Sequence, residues 1–262
     1  MTSTAKITTA GMLLLVLLAG ILPSINARAE LDSVFGRDDA TAISTPVSGT
    51  ALSQLRRLPV RGPESMDGYD ADVTFGPRWS DAGTPGEVIG SRDGCDTRND
   101  VLRRDLRGVV IKPGSNGCVV LSGTLPEPYG GQQMRWRRGP DSATAQVDHV
   151  VAKGNAYITG AQHLTAQQRT DFANDPLNLI TADGALNASK SDSDAAAWLP
   201  PRAAYRCTYV ARQIAVKTRY QLWVTKPERN AMEHVLSSCP REPRGDHGRA
   251  WMTPPPNGGE QR

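Results

Sequence analysis

Apolar positions along this chain recur at two periods, and the switches between them mark out its elements. Between Thr97 and Leu106 the residues Val101, Leu102 and Leu106 stand at helical spacing behind Asp96 or Thr97 as N-cap, which predicts a helix. Three short segments then read as strands: Val109 to Lys112, Cys118 to Leu125 and Met134 to Arg137, with KPGSNG as the turn between the first two. A fourth strand is predicted over Gln146 to Ala152. Thr165 caps a short helix reaching Phe172, and the Asp175-Pro176 step ends it, because the residue before a proline disfavours helical backbone. Leu177 to Ile180 is extended, and Asp183-Gly184 turns into a helix from about Ala185. Two stronger helical stretches follow, Tyr205 to Trp223 and Pro227 to Leu236, the second opening on a proline whose missing N–H does no harm in a first turn. The sum is an α+β domain with a small antiparallel sheet and a helical pair at its C-terminal end.

The flanks lack such patterning. Lys6, the apolar run Met12 to Leu22 and Ala27-Arg28-Ala29 read as a signal peptide over residues 1–29, with the mature chain starting at Glu30. That run is far shorter than the roughly 20 residues that span a bilayer, and no cysteine follows it to take a lipid. A secreted protein with no stable membrane association is therefore expected. Residues 30–66, rich in Ala, Ser, Thr and Arg, suit a flexible lead-in. The folded domain is expected over 67–239, its first part pinned by Phe75 and Trp79, and 240–262 is expected to be a disordered tail.

Cleavage after Ala29 removes Lys6 and Arg28 and no acid, leaving 28 basic against 27 acidic residues, so net charge says little. Its distribution says more. Arg98 to Arg138 holds eight Lys or Arg against three Asp or Glu, enough to steer a polyanion, although a solvated surface of mixed charge accounts for it equally well. Cys95, Cys118, Cys207 and Cys239 allow three disulfide pairings in an oxidising compartment. Proximity and helix geometry favour Cys95 with Cys118 and Cys207 with Cys239; a zinc site made of all four is the alternative, against which stands the lack of a C-x-x-C spacing.

Candidate chemistry concentrates in VDHVVAKGNAY and FANDPLNLITADGALNASK. Asp148 offers a hard oxygen to a divalent cation, and His149 an imidazole able to deprotonate water near neutral pH. Neighbours on a strand point to opposite faces, so the two diverge unless the strand bends. Asn187 can supply a second oxygen ligand, Asn178 can clamp backbone near His149, and Lys190, on the same helical face as Asn187, can meet a phosphate. Arg98 is a further candidate for a phosphate, with a salt bridge to Asp96 or Asp100 as the competing role. Singly, each has a plainer use: Asn187 as a helix cap, Asn178 as a turn former, Lys190 as a solvated cation. His163, His234 and His247 are assigned to the surface. H-E-x-x-H and G-x-S-x-G are absent, which weighs against metalloprotease and acyl-transfer chemistry.

The order Asp148-His149, Asn178, Asn187 and Lys190, with GCDTRNDVL, DAAAWLPP and YRCTYVARQIAVK around it, resembles the HNH nucleases, in particular the His-Asn-Asn branch of secreted actinobacterial proteins of the GmrSD C-terminal type. The resemblance runs from about Asp72 to Cys239 and departs at Lys153 and Tyr157, where an apolar residue and a tryptophan are expected. It implies a ββα-metal core, and a DNA endonuclease, with RNA as another substrate, that is monomeric and acts with one Mg²⁺ or another divalent cation such as Mn²⁺. In that scheme Asp148 and Asn187 hold the metal, His149 is the general base, Asn178 holds the imidazole, and Lys190 and Arg98 meet phosphate. A catalytically silent module that binds nucleic acid or another extracellular polyanion is the alternative.

Overall fold

A computed structural model describes residues 50–239, apart from the side chain of Asp141. The expected signal peptide, the lead-in up to residue 49, the tail from 240 and His247 lie outside the described residues. The chain runs through α1 (Ala51–Leu55), α2 (Ala71–Phe75), α3 (Thr97–Asp105), β1 (Arg107–Ile111), β2 (Val120–Pro126), β3 (Gln133–Arg137), β4 (Ala145–His149), α4 (Lys153–Ile158), α5 (Ala166–Asn174), β5 (Leu179–Asp183), α6 (Gly184–Lys190), α7 (Ala203–Arg219) and α8 (Lys226–Ser237). Strands β1, β2 and β3 form one antiparallel sheet in that order, and β4 pairs antiparallel with β5 in a second. The fold is thus mixed α and β with small antiparallel sheets, as expected. No helix among the described residues is long and apolar enough to cross a membrane.

The packed body begins earlier than Asp67. Thr50 caps α1 by accepting the Ser53 N–H, and Ala51, Leu55 and Leu58 are buried in the cluster built by α7 and α8. Burying leucines such as Leu55 and Leu58 contributes about 1.5–3 kcal/mol each, which is enough to hold a five-residue helix that would not persist alone. Backbone pairing continues the attachment, with Val224 N–H donating to Pro59 C=O (3.0 Å) and Arg61 N–H to Val224 C=O (3.1 Å).

At the other end the helical pair is present but shorter at one boundary. Tyr220 to Trp223 leaves α7 because Gln221 adopts φ +53° and Trp223 N–H turns to the Thr159 carbonyl (3.0 Å). Thr225 and Glu228 form a capping box that starts α8. Cys207 joins Cys239 across the pair with Cα atoms 5.9 Å apart, and Cys95 joins Cys118 with Cα atoms 5.2 Å apart. Both favoured pairings are therefore formed, and the four-cysteine zinc site is excluded. Each bridge contributes about 3–4 kcal/mol in the chain-entropy account. Lys217 and Glu228, both fully buried, meet at 2.9 Å between the same two helices.

Candidate active site

Strand β4 is the axis of the site. It pairs with β5 so that Asp148 lies opposite Ile180 and His149 opposite Leu179, and α6 follows β5 without a loop, giving a β-β-α unit. Gly184, where α6 starts, passes beneath the 140–144 turn: a Cβ there would stand 2.2 Å from the Ala143 carbonyl oxygen, so no other residue fits without a shift. Asp183 caps α6 by accepting the Ala185 and Leu186 N–H groups.

At the end of β4 the chain bends into α4, and Asn178 holds the bend. Its Oδ1 accepts the Val151 N–H (2.8 Å), its Nδ2 donates to the Val151 and Phe172 carbonyls (3.3 and 3.4 Å), and its own carbonyl accepts the Val150 N–H (2.7 Å). The side chain is buried and touches backbone on both sides of the imidazole's seat.

His149 Nε2 lies 2.9 Å from the Ala173 carbonyl oxygen. A carbonyl can only accept, so Nε2 carries the hydrogen and Nδ1 keeps the lone pair. The ring is half-buried between Trp79 and Phe172, nearly parallel to both, with centroids 5.8 and 6.4 Å away. Burial, and then the Lys153 ammonium, push the imidazole down to about 3 from an ordinary 6.5. Below pH 6.5 the unfolded chain takes up a proton here that the folded one refuses, so stability falls as pH drops from 6.5 toward 3 and is flat above that window. In an NMR titration of the free protein the His149 ring is expected to stay neutral at pH 5; a midpoint near 6.5 would contradict this environment.

Asp148 points to the other face of the strand. Lys190 Nζ donates to its Oδ1 (2.9 Å) and the Tyr129 hydroxyl to its Oδ2 (2.6 Å), and Lys190 also donates to the His149 carbonyl (2.8 Å). All three side chains are buried, and burial followed by the nearby Asp148 carboxylate pushes the Tyr129 hydroxyl well above its ordinary range, keeping it a donor. Two expectations are corrected here. Lys190 is fully buried and ion-paired, so it cannot reach a substrate phosphate, and Asp148 has both oxygens occupied away from the cavity, so it does not converge with Asn187 on one cation. The helical face shared by Asn187 and Lys190 exists, but it is laid along β4, with Asn187 over Gln146 and Lys190 over Asp148.

A cavity of about 470 Å³ lies along β4 and is lined by His149, Gln146 and Asn187. Gln146 Nε2 donates to the Ala143 carbonyl (3.3 Å), which leaves its Oε1 to accept from Asn187 Nδ2 (2.9 Å). The same logic turns Asn187 Oδ1 into an acceptor with no hydrogen bond among the described residues. Arg78, Arg98 and Lys153 also line the cavity, and no described carboxylate does. Arg78 is tied to Asp72 at 2.8 Å. Arg98 and Lys153 make no ion pair among the described residues; each lies over a ring, Arg98 over Trp136 (5.6 Å) and Lys153 over Phe75 (5.7 Å). Neither competing partner holds Arg98, since Asp100 pairs with Arg103 and Asp96 caps α3. Burial lowers the pKa of both cations, Arg138 adding to it at Arg98 and Arg78 at Lys153.

For a divalent cation the cavity offers one hard neutral oxygen, Asn187 Oδ1, and no described carboxylate, whereas Mg²⁺ and Mn²⁺ are ordinarily held through one or two carboxylates together with substrate phosphate. The residues therefore do not make a metal site by themselves, and a cation there would depend on the substrate phosphate for its negative charge. The sequence pattern did not single out Gln146, Arg78 or Trp79 for the site; Lys153 was visible only as a departure from the family pattern.

Residues 96–235 match the family described as GmrSD restriction endonucleases, C-terminal domain. The chain is also 36% identical over 201 residues to an uncharacterized secreted protein of the fungus Arthroderma benhamiae, an alignment covering 76% of this chain and 89% of that protein. No solved structure matches. The family match spans α3 to α8 and holds His149, Asn178 and Asn187; Arg78 and Trp79 come from the segment before it.

Proposed function

Because the chain belongs to the family of GmrSD restriction endonuclease C-terminal domains, we propose that it is a secreted endonuclease of the HNH, His-Asn-Asn kind that hydrolyses phosphodiester bonds of DNA with the help of one divalent cation. The observation that carries this reading is an imidazole whose Nε2 sits on the Ala173 carbonyl, in a cavity it shares with the Asn187 amide and the side chains of Arg78, Arg98 and Lys153.

Phosphodiester hydrolysis needs an activated water on one side of phosphorus and charge stabilisation on the other. His149 Nδ1, left with its lone pair by the contact of Nε2 with the Ala173 carbonyl, takes the proton from that water. Arg98 and Lys153, neither of them in a direct ion pair among the described residues, bind the phosphate oxygens, and Trp79 and Phe172 hold the imidazole plane. Asn178 keeps the bend after His149 in place. Asn187, oriented by Gln146, would offer its Oδ1 to a divalent cation brought in with the substrate phosphate, and such a cation would supply Lewis-acid stabilisation of charge at phosphorus. The Asp148–Lys190–Tyr129 cluster positions β4 against α6. Two disulfides, a relative described as secreted and the N-terminal pattern of residues 1–29 support an extracellular location.

The withdrawal of Asp148 favours a second reading, a nuclease-fold module that grips a polyanion without cutting it. Incubating the mature protein with supercoiled plasmid separates the two. Nicking with Mg²⁺ that EDTA abolishes is the expected result; retardation of the plasmid with no nicking in either condition would establish the binder.

A further inference from the structure

The three-stranded sheet turns one face to solvent, and that face is basic. Arg135 and Arg137 stand two apart on β3, opposite Thr124 and Ser122 of β2, and Thr124 in turn lies opposite Arg107 of β1. Cross-strand partners share a face, so Arg107, Thr124 and Arg135 form one row across the sheet with Arg137 beside it. All three arginines are exposed, and Trp136, between the two on β3, points the other way into the core. Beta geometry sets Arg135 and Arg137 roughly 7 Å apart and puts Arg107 about 10 Å across from Arg135.

The charges there are uncompensated. No Asp or Glu occurs in β1, β2 or β3, and none of the three arginines makes an ion pair or side-chain hydrogen bond among the described residues. Exposed like charges on one face with no acid among them raise the local positive potential, which favours an anion that spans it. Short polar Ser122 and Thr124 and exposed Val110 leave the face low between the arginines. This spread matches the scale of a duplex, whose grooves are about 6 and 12 Å wide with phosphates along both rims. The sheet also leads to the cavity: β3 runs into the 140–144 turn whose Ser142 and Ala143 line it, and Trp136 carries Arg98, another lining residue, on its ring.

We propose that the outer face of the β1–β2–β3 sheet, through Arg107, Arg135 and Arg137, is a docking surface for the phosphate backbone of duplex DNA, separate from the cavity where His149 acts. The surface rests on the nuclease reading for its purpose, but not for its measurement. It holds DNA by charge without reading sequence, since guanidinium contacts to phosphate position a duplex and carry no base information.

The test combines Arg107→Gln, Arg135→Gln and Arg137→Gln and measures binding to a short duplex in EDTA, where no cleavage occurs, over a range of salt. A control with the same charge change carries Arg56→Gln, Arg57→Gln and Arg61→Gln, also exposed. The sheet variant is expected to bind at least about tenfold more weakly, with a salt dependence shallower by about 2–3 on a log–log plot, close to one per lost phosphate contact. The control is expected to bind as wild type does, and turnover of bis(p-nitrophenyl) phosphate, a diester small enough for the cavity alone, to be unchanged in the sheet variant. Equal binding by wild type and sheet variant, an equal loss in the control, or no binding by wild type would overturn the docking surface. Failure of the nuclease reading shows separately, as wild-type protein that binds the duplex and never nicks it.

Discussion

His149→Ala is expected to lower Mg²⁺-dependent plasmid nicking by about 10²–10⁴-fold, the usual contribution of a positioned general base. The size follows from what the residue lacks as a structural element: it makes one side-chain hydrogen bond, to Ala173 C=O, and no ion pair. Its removal leaves Trp79 and Phe172 facing a gap but leaves Asn178, which holds the local backbone, untouched. DNA binding in EDTA is expected to survive, because the cations of the cavity remain. A folded variant, checked by thermal melting, that nicked DNA at the wild-type rate would remove His149 from the chemistry.

Lys190→Met is expected to act on stability instead, by about 3–5 kcal/mol, because it strands a buried Asp148 carboxylate with only the Tyr129 hydroxyl as partner. For a domain of this size that is a loss of about 6–20 °C in melting temperature. It also frees the His149 carbonyl at the end of β4. Pairing the change with Asp148→Leu, which removes the stranded charge, is expected to recover most of the loss. Calorimetry on the single and double variants decides it: a Lys190→Met protein as stable as wild type but weakened in DNA binding would return Lys190 to the role of a phosphate contact.

Much of the scaffold was legible because its elements carry strong local signals. α3 has Asp96 as a cap and Val101 and Leu102 on one face, α5 has Thr165, and α8 opens on Thr225 and Pro227. Neighbouring cysteines closed the loops that proximity favoured. α1 escaped notice because five residues give too little period to read, although Ala51, Leu55 and Leu58 do fall at helical spacing; only the groove between α7 and α8 gives them a purpose. α4 has no side-chain N-cap, and the Gly154 N–H is satisfied by Asp192 from far along the chain, so no helix is legible over residues 153–158.

At the site, strand alternation implies that Asp148 and His149 part. That the cavity takes Val147 and His149 from one face of β4 and Gln146 from the other, leaving Asp148 out, was not legible. That depends on Tyr129, from the loop between β2 and β3, and on Lys190, which together claim the carboxylate. Trp79 and Arg78 arrive from a segment with no sequence link to β4, and Gln146 acquires its role only when α6 sets Asn187 over it.

The proposed centre would hold one cation at Asn187 with His149 facing the scissile phosphate and Asp148 apart. Anomalous scattering from Mn²⁺ in crystals of the His149→Ala variant with a short DNA duplex tests it most directly. The expected map has one cation bonded to Asn187 Oδ1 and to a phosphate oxygen, with the Asp148–Lys190 pair intact. A cation bonded to Asp148 with Lys190 displaced, or none on Asn187 while DNA occupies the cavity, would contradict it.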